Sequence, residues 1–60
     1  MSHYDYSLWQ ETTGDGTRHF WIVDEVFDNG EEKIVDSGIE STLKAAVKKI
    51  KKYCPEIEDQ

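Results

Sequence analysis

The sequence predicts an α+β domain: a three-stranded antiparallel β-meander of order 1-2-3 with one C-terminal α-helix packed on one face, β-β-β-α. Three observations carry that prediction. Apolar and aromatic stretches with a two-residue period fill the first two thirds of the chain, separated by Gly14-Asp15-Gly16 and Asn29-Gly30. From Leu43 onward the apolar residues recur at helical spacing. Between the two patterns stand Gly38 and the capping residues Ser41 and Thr42.

The first strand is expected over residues 4–11, where Tyr4, Tyr6 and Leu8 alternate with Asp5, Ser7 and Trp9. Residues 12–17 form its loop, in which two glycines around Asp15 supply positive backbone angles. The second strand covers residues 18–27 and contains the most apolar run, Phe20-Trp21-Ile22-Val23. Asn29-Gly30 suits a type I′ hairpin turn, and a third strand over residues 31–37 returns through Ile34 and Val35. Two short hairpins put the most apolar strand in the centre.

Gly38 is expected to end the third strand, and a helix follows over residues 42–54. Leu43, Ala46, Val47, Ile50 and Cys54 fall on one stripe, with Lys44, Lys48, Lys51 and Lys52 to one side and Lys49 on the other. Pro55 disfavours helical geometry at Cys54 and stops the helix. Residues 55–60 read as a short, partly frayed tail, and residues 1–60 as one domain.

One helix covers one face of a sheet. In the second strand Phe20, Ile22 and Val26 point one way and Trp21, Val23 and Phe27 the other, so either choice leaves large apolar side chains uncovered. Trp9, which faces away from Tyr6 and Leu8, is expected to share the uncovered face with Trp21. Contiguous apolar patches mark interfaces, and a 60-residue chain gains much from further burial, so a partner or a second copy is expected there.

The charge is sorted by position. Residues 1–40 hold ten acids and two bases, a net of −8; residues 41–55 hold five lysines and no acid; the last five residues add −3, for a total of −6. Lysines on the helix flank are expected to neutralise some strand acids. A nucleic-acid-binding surface sits in a positive field, because phosphate contacts supply most of its affinity. The acidic balance therefore argues against direct nucleic-acid binding, and the lysine-rich helix is the one surface compatible with it.

Catalytic and metal chemistry find little support. His3 and His19 lack a third ligand at metal-site spacing. Asp24 to Gly30 does not follow the calcium-loop pattern, and Gly14-Asp15-Gly16 lacks the Lys and helix of a phosphate loop. Cys54 lies on the helix stripe as a packing residue, the nearby lysines being the sole argument for a lowered thiol pKa. The chain reads as a non-enzyme without cofactor or metal. It has no apolar run of about 18 residues to span a bilayer and no signal-peptide pattern. A single cysteine fits a reducing cytoplasm.

What remains is a binding module. The acids around the second hairpin, Asp24, Glu25, Asp28, Glu31, Glu32 and Asp36, are the candidate contacts, with Trp9 and Trp21 as apolar anchors. The expected partner is a basic protein, in particular a nucleic-acid-binding one, with carboxylates standing where phosphates would. Same-face residues on a strand recur about every 6.6–6.8 Å, which suits a regular negative surface. In size, acidity and lack of catalytic groups the chain resembles the small nucleic-acid-mimicking inhibitors of phages and mobile elements. Its strand-strand-strand-helix order, with Gly38 before a capped helix carrying Ala45-Ala46, is also similar to the N-terminal half of HicB-type antitoxins. That family continues with another strand and a DNA-binding or dimerising part. The first resemblance implies an inhibitor of a basic protein, the second a small homodimeric domain.

Overall fold

The computed structural model describes residues 1–57. Three strands, β1 (His3–Thr13), β2 (Gly16–Val26) and β3 (Glu32–Glu40), precede one helix, α1 (Leu43–Ile50). The strands form an open antiparallel sheet of order β1-β2-β3, the β-β-β-α arrangement expected from the pattern.

Both hairpins differ in detail from expectation. The first is tighter: Thr13 pairs with Gly16, so the turn is only Gly14-Asp15. Gly16 takes φ +124°, where a side chain would be strained. Threonines extend the strands into the expected loop. Thr12 and Thr17 are cross-strand partners with hydroxyls 3.0 Å apart, and the Asp15 N–H donates to Thr13 Oγ1 at 3.2 Å.

The second hairpin is a three-residue loop and not a type I′ turn. Gly30 N–H donates to the Phe27 carbonyl at 2.9 Å and Phe27 N–H to the Glu31 carbonyl at 2.8 Å, which makes Asp28 and Asn29 the central residues. A type I′ turn needs positive φ at Asn29, and only Gly30 here has it, at +90°. The Asn29 side chain instead accepts the Glu31 N–H at 3.0 Å.

Gly38 does not end β3, which runs on to Glu40 and so includes Ile39. Trp21 is the partner of Gly38 across the sheet. A Cβ on Gly38 would lie 2.8–2.9 Å from the indole atoms of Trp21. The glycine is there to admit the ring. Further along, the pairing shifts by one residue between Val23 and Asp24, so that Val23 faces Asp36 while Asp24 faces Ile34. Val35 is the extra residue of this bulge, and it packs against the core. Ile34 is turned to the opposite face and is 61% exposed.

Thr42 caps α1, its hydroxyl accepting the Ala45 N–H at 3.1 Å. The helix is shorter than expected because the chain tightens ahead of Pro55. Tyr53 N–H and Cys54 N–H both donate to the Ile50 carbonyl at 2.9 Å, and Lys52 N–H reaches Lys49. The following tail is not frayed where described. Ile57 N–H bonds to the Cys54 carbonyl at 3.1 Å, and the Ile57 side chain is buried. The remainder of the expected tail, 58–60, lies outside the described residues.

The core joins Trp21 and Val23 of β2 to Ala46, Val47 and Ile50 of α1 and to Ile57, with Leu8, Val35, Leu43, Tyr53 and Cys54 packed around it. The helix lies over β2 and β3. An eight-residue helix is about 12 Å long, whereas an 11-residue strand extends about 37 Å at ~3.4 Å per residue. Much of β1 and the tip of the first hairpin are therefore uncovered on both faces.

Candidate interaction surface

The face of the sheet away from α1 carries four cross-strand rows. Trp9, Phe20 and Ile39 form the first, Ser7, Ile22 and Ser37 the second, Asp5, Asp24 and Ile34 the third, and His3, Val26 and Glu32 the fourth. The first row is a continuous apolar bar. Trp9 and Phe20 stack with ring centroids 5.6 Å apart and planes 11° from parallel. Trp9 is 41% and Ile39 58% exposed. Trp9, Phe20, Ile22 and Ile39 line a shallow groove together with Trp21, Ser37 and Gly38. Beyond the first row, Glu11 faces Arg18.

This face is polar at one end and apolar in the middle. Asp5 and Asp24 stand directly opposite each other, and like charges in that position destabilise an antiparallel pair. The Asp5 carboxylate accepts the Tyr6 N–H at 3.0 Å, which offsets part of that cost. The third and fourth rows together bring Asp5, Asp24 and Glu32 to the end of the face where the acidic 28–31 turn begins.

The expected contact residues are divided by the fold. Asp24 and Glu32 lie on the open face, and Asp28 and Glu31 sit exposed in the turn beside them, Asp28 paired with the N-terminal ammonium. Glu25 and Asp36 belong to the helix side. Glu25 accepts a hydrogen bond from the Ser2 hydroxyl at 2.6 Å, and Asp36 accepts the Tyr53 hydroxyl at 3.0 Å and the Ser37 N–H at 2.8 Å. Both carboxylates accept hydrogen bonds within the fold. Trp9 is on the open face, as expected, but Trp21 is not. It is 3% exposed, lies under the helix and donates its indole N–H to Glu40 at 3.2 Å. The expectation that both tryptophans share the open face fails because residues 9 and 21 are one step out of phase in the β1–β2 register, where Trp21 pairs with Leu8.

Asp5, Phe20, Ile22, Ile34 and Ile39 also lie on this face and were not among the expected contact residues. Phe20 and Ile22 follow from alternation once Trp9 fixes the face. Ile34 depends on the bulge, and Ile39 on β3 passing through Gly38.

On the helix side, the Tyr53 phenol is held above its ordinary pKa, first by its hydrogen bond to Asp36, then by burial and by that carboxylate's charge. Tyr53 also meets Tyr4 edge-on at 5.6 Å. The Cys54 thiol is pushed up, chiefly by burial and then by the charges of Asp5 and Glu56, so the lysines do not activate it. Among the described residues, Lys44, Lys48, Lys49 and Lys52 make no ion pair with a strand carboxylate. The expected neutralisation does not extend to them, because the exposed acids lie across the sheet or at its far turn. No helix among the described residues is long and apolar enough to cross a membrane, and no three His, Cys, Asp or Glu among them are grouped to hold a metal ion.

Set beside models of protein families, curated proteins and solved structures, the chain matches none.

Proposed function

We propose that the protein is a non-enzymatic protein-binding module that lays its open sheet face on a basic surface of a target protein, of the kind that holds nucleic acid. The observation that supports this reading is the juxtaposition of the Trp9–Phe20–Ile39 bar with Asp5, Asp24 and Glu32 on one face. Aromatic area in the centre of a contact supplies binding energy. Carboxylates at its rim speed encounter with a cationic partner and select against acidic ones. Glu31, exposed in the adjoining turn, extends the negative field at that end. A surface that binds phosphates through Lys and Arg offers the matching charge, and the module acts there as an inhibitor by occupying the phosphate positions. Its unpaired thiol is in keeping with action in a reducing cytoplasm.

The test is retention of host proteins on the immobilised chain, compared with a Glu31→Lys/Glu32→Lys variant and with Trp9→Ala. The expected result is a basic protein held at low salt, released at high salt, displaced by added DNA or RNA, and lost with either variant. A partner held equally by wild type and both variants, and indifferent to nucleic acid, overturns the reading.

A further inference from the structure

We propose that the protein forms a two-fold dimer in which β1 pairs antiparallel with β1 of a second copy, joining two sheets into one of six strands. This contact uses the strand edge and stands independently of the open-face function above.

The two edges of the sheet differ. β3 carries a bulge and Lys33, two devices that discourage strand addition, and α1 packs over it. β1 has none of these. It is 11 residues long, pairs with β2 without a register shift, contains no Pro or Lys, and is exposed at every residue but the half-buried Leu8. Such an edge presents a row of backbone donors and acceptors that meet no other strand, the Tyr6 N–H being met only by its neighbour Asp5 at 3.0 Å. A soluble protein ordinarily covers or interrupts such a row.

The helix side adds a second reason. Because α1 lies over β2 and β3, an open cleft lined by Tyr6, Leu8, Trp9, Gln10, His19 and Leu43 runs beside β1. A second β1 extends the floor of this cleft and brings the equivalent ledge of the other copy against it. Tyr6, 37% exposed in the single chain, then gains apolar neighbours.

Charge selects the second copy and its register. β1 holds only Asp5 and Glu11, the other strand acids being on β2, β3 and the turn between them. A two-fold axis normal to the sheet keeps both helices on one side and pairs residues symmetrically about a central one. Centred on Ser7, it sets Tyr6 opposite the partner's Leu8, Asp5 opposite the partner's Trp9 and His3 opposite the partner's Glu11. Centred on Leu8, it sets Asp5 against the partner's Glu11, a like-charge pair. Centred on Trp9, it opposes Leu8 to the partner's Gln10 and loses the apolar match. Of these three registers, only the one centred on Ser7 joins both Tyr6 to Leu8 and His3 to Glu11; it sets Asp5 against Trp9 but opposes no carboxylate to another.

Directly opposed residues in an antiparallel pair have Cα atoms about 4.5–5.5 Å apart, within disulfide range. The full chain with Cys54→Ser and Ser7→Cys is therefore expected to form a disulfide-linked dimer on mild oxidation, while Cys54→Ser with Ile39→Cys does not. In sedimentation equilibrium without cross-linking, the wild type is expected to dimerise. Ser7→Lys, which opposes two cations at the axis, should weaken association at least about tenfold with an unchanged circular dichroism spectrum. Ile39→Lys, on the open face, should leave association unchanged. A mass of 7.0 kDa at all concentrations overturns the proposal. So does a dimer broken by Ile39→Lys and indifferent to Ser7→Lys, which would be packed face to face.

Discussion

The indole of Trp21 occupies the space over Gly38 that a side chain would fill, with Nε1, Cε2 and Cζ2 all within 2.9 Å of where a Cβ would stand. Gly38 has no positive φ, so it is required for room and not for backbone freedom. Gly38→Ala is expected to destabilise by about 1–3 kcal/mol, the usual penalty for overpacking against a rigid ring. Urea denaturation followed by tryptophan fluorescence measures it. An unchanged midpoint would show that the indole can move aside at no cost.

Ile57 is docked in the core, 6% exposed, beyond the residue that ends the helix. Ile57→Ala should therefore cost about 2 kcal/mol or more, as for buried Ile→Ala changes elsewhere. In a domain this small that is a large share of the total. If the tail contributed nothing, thermal melts of the variant and the wild type would coincide.

Asp5 and Asp24 oppose each other on the open face. Asp24→Asn removes that repulsion and should raise stability by about 0.2–1 kcal/mol. The same change should lower affinity for a basic partner and flatten its salt dependence. Gain in one property with loss in the other is what a surface kept for binding predicts. A parallel loss in both would make Asp24 structural.

The Tyr53 phenol bonds to Asp36 and titrates above its ordinary value of 10.0. A raised folded-state pKa means that the native chain holds its proton more tightly than the unfolded one. The contribution is complete below pH 10.0 and is lost as pH rises through the folded value. Tyr53→Phe should therefore lose stability less steeply than wild type between neutral pH and pH about 11. Every other ionisable group is common to both proteins, so the difference between the two curves isolates the tyrosine.

The cleanest sequence signals were local ones. Alternation in Tyr4-Asp5-Tyr6-Ser7-Leu8-Trp9, the glycine turns and the Thr42-capped apolar stripe each act over a few residues, and together they were enough for β-β-β-α with β2 in the centre. Four of the six expected acids, Asp24, Glu32 and the turn acids Asp28 and Glu31, lie on or beside the open face. Glu25 and Asp36 do not, since their facing depends on a register that alternation within one strand cannot supply.

The strands, their order, the helix and the separation of acids from lysines were legible in the chain, because propensity, capping and turn chemistry act between near neighbours. Which face the helix covers was settled by packing across the sheet. β2 offers apolar residues on both sides, and the choice fell to Trp21 and Val23, where Gly38 leaves room for an indole and Leu8 lies alongside. The bulge at Val35 then sent Ile34 outward and Val35 inward, and set Glu32 on the open face. Packing fixed these facings because a one-residue shift in pairing reverses the side to which every following side chain points.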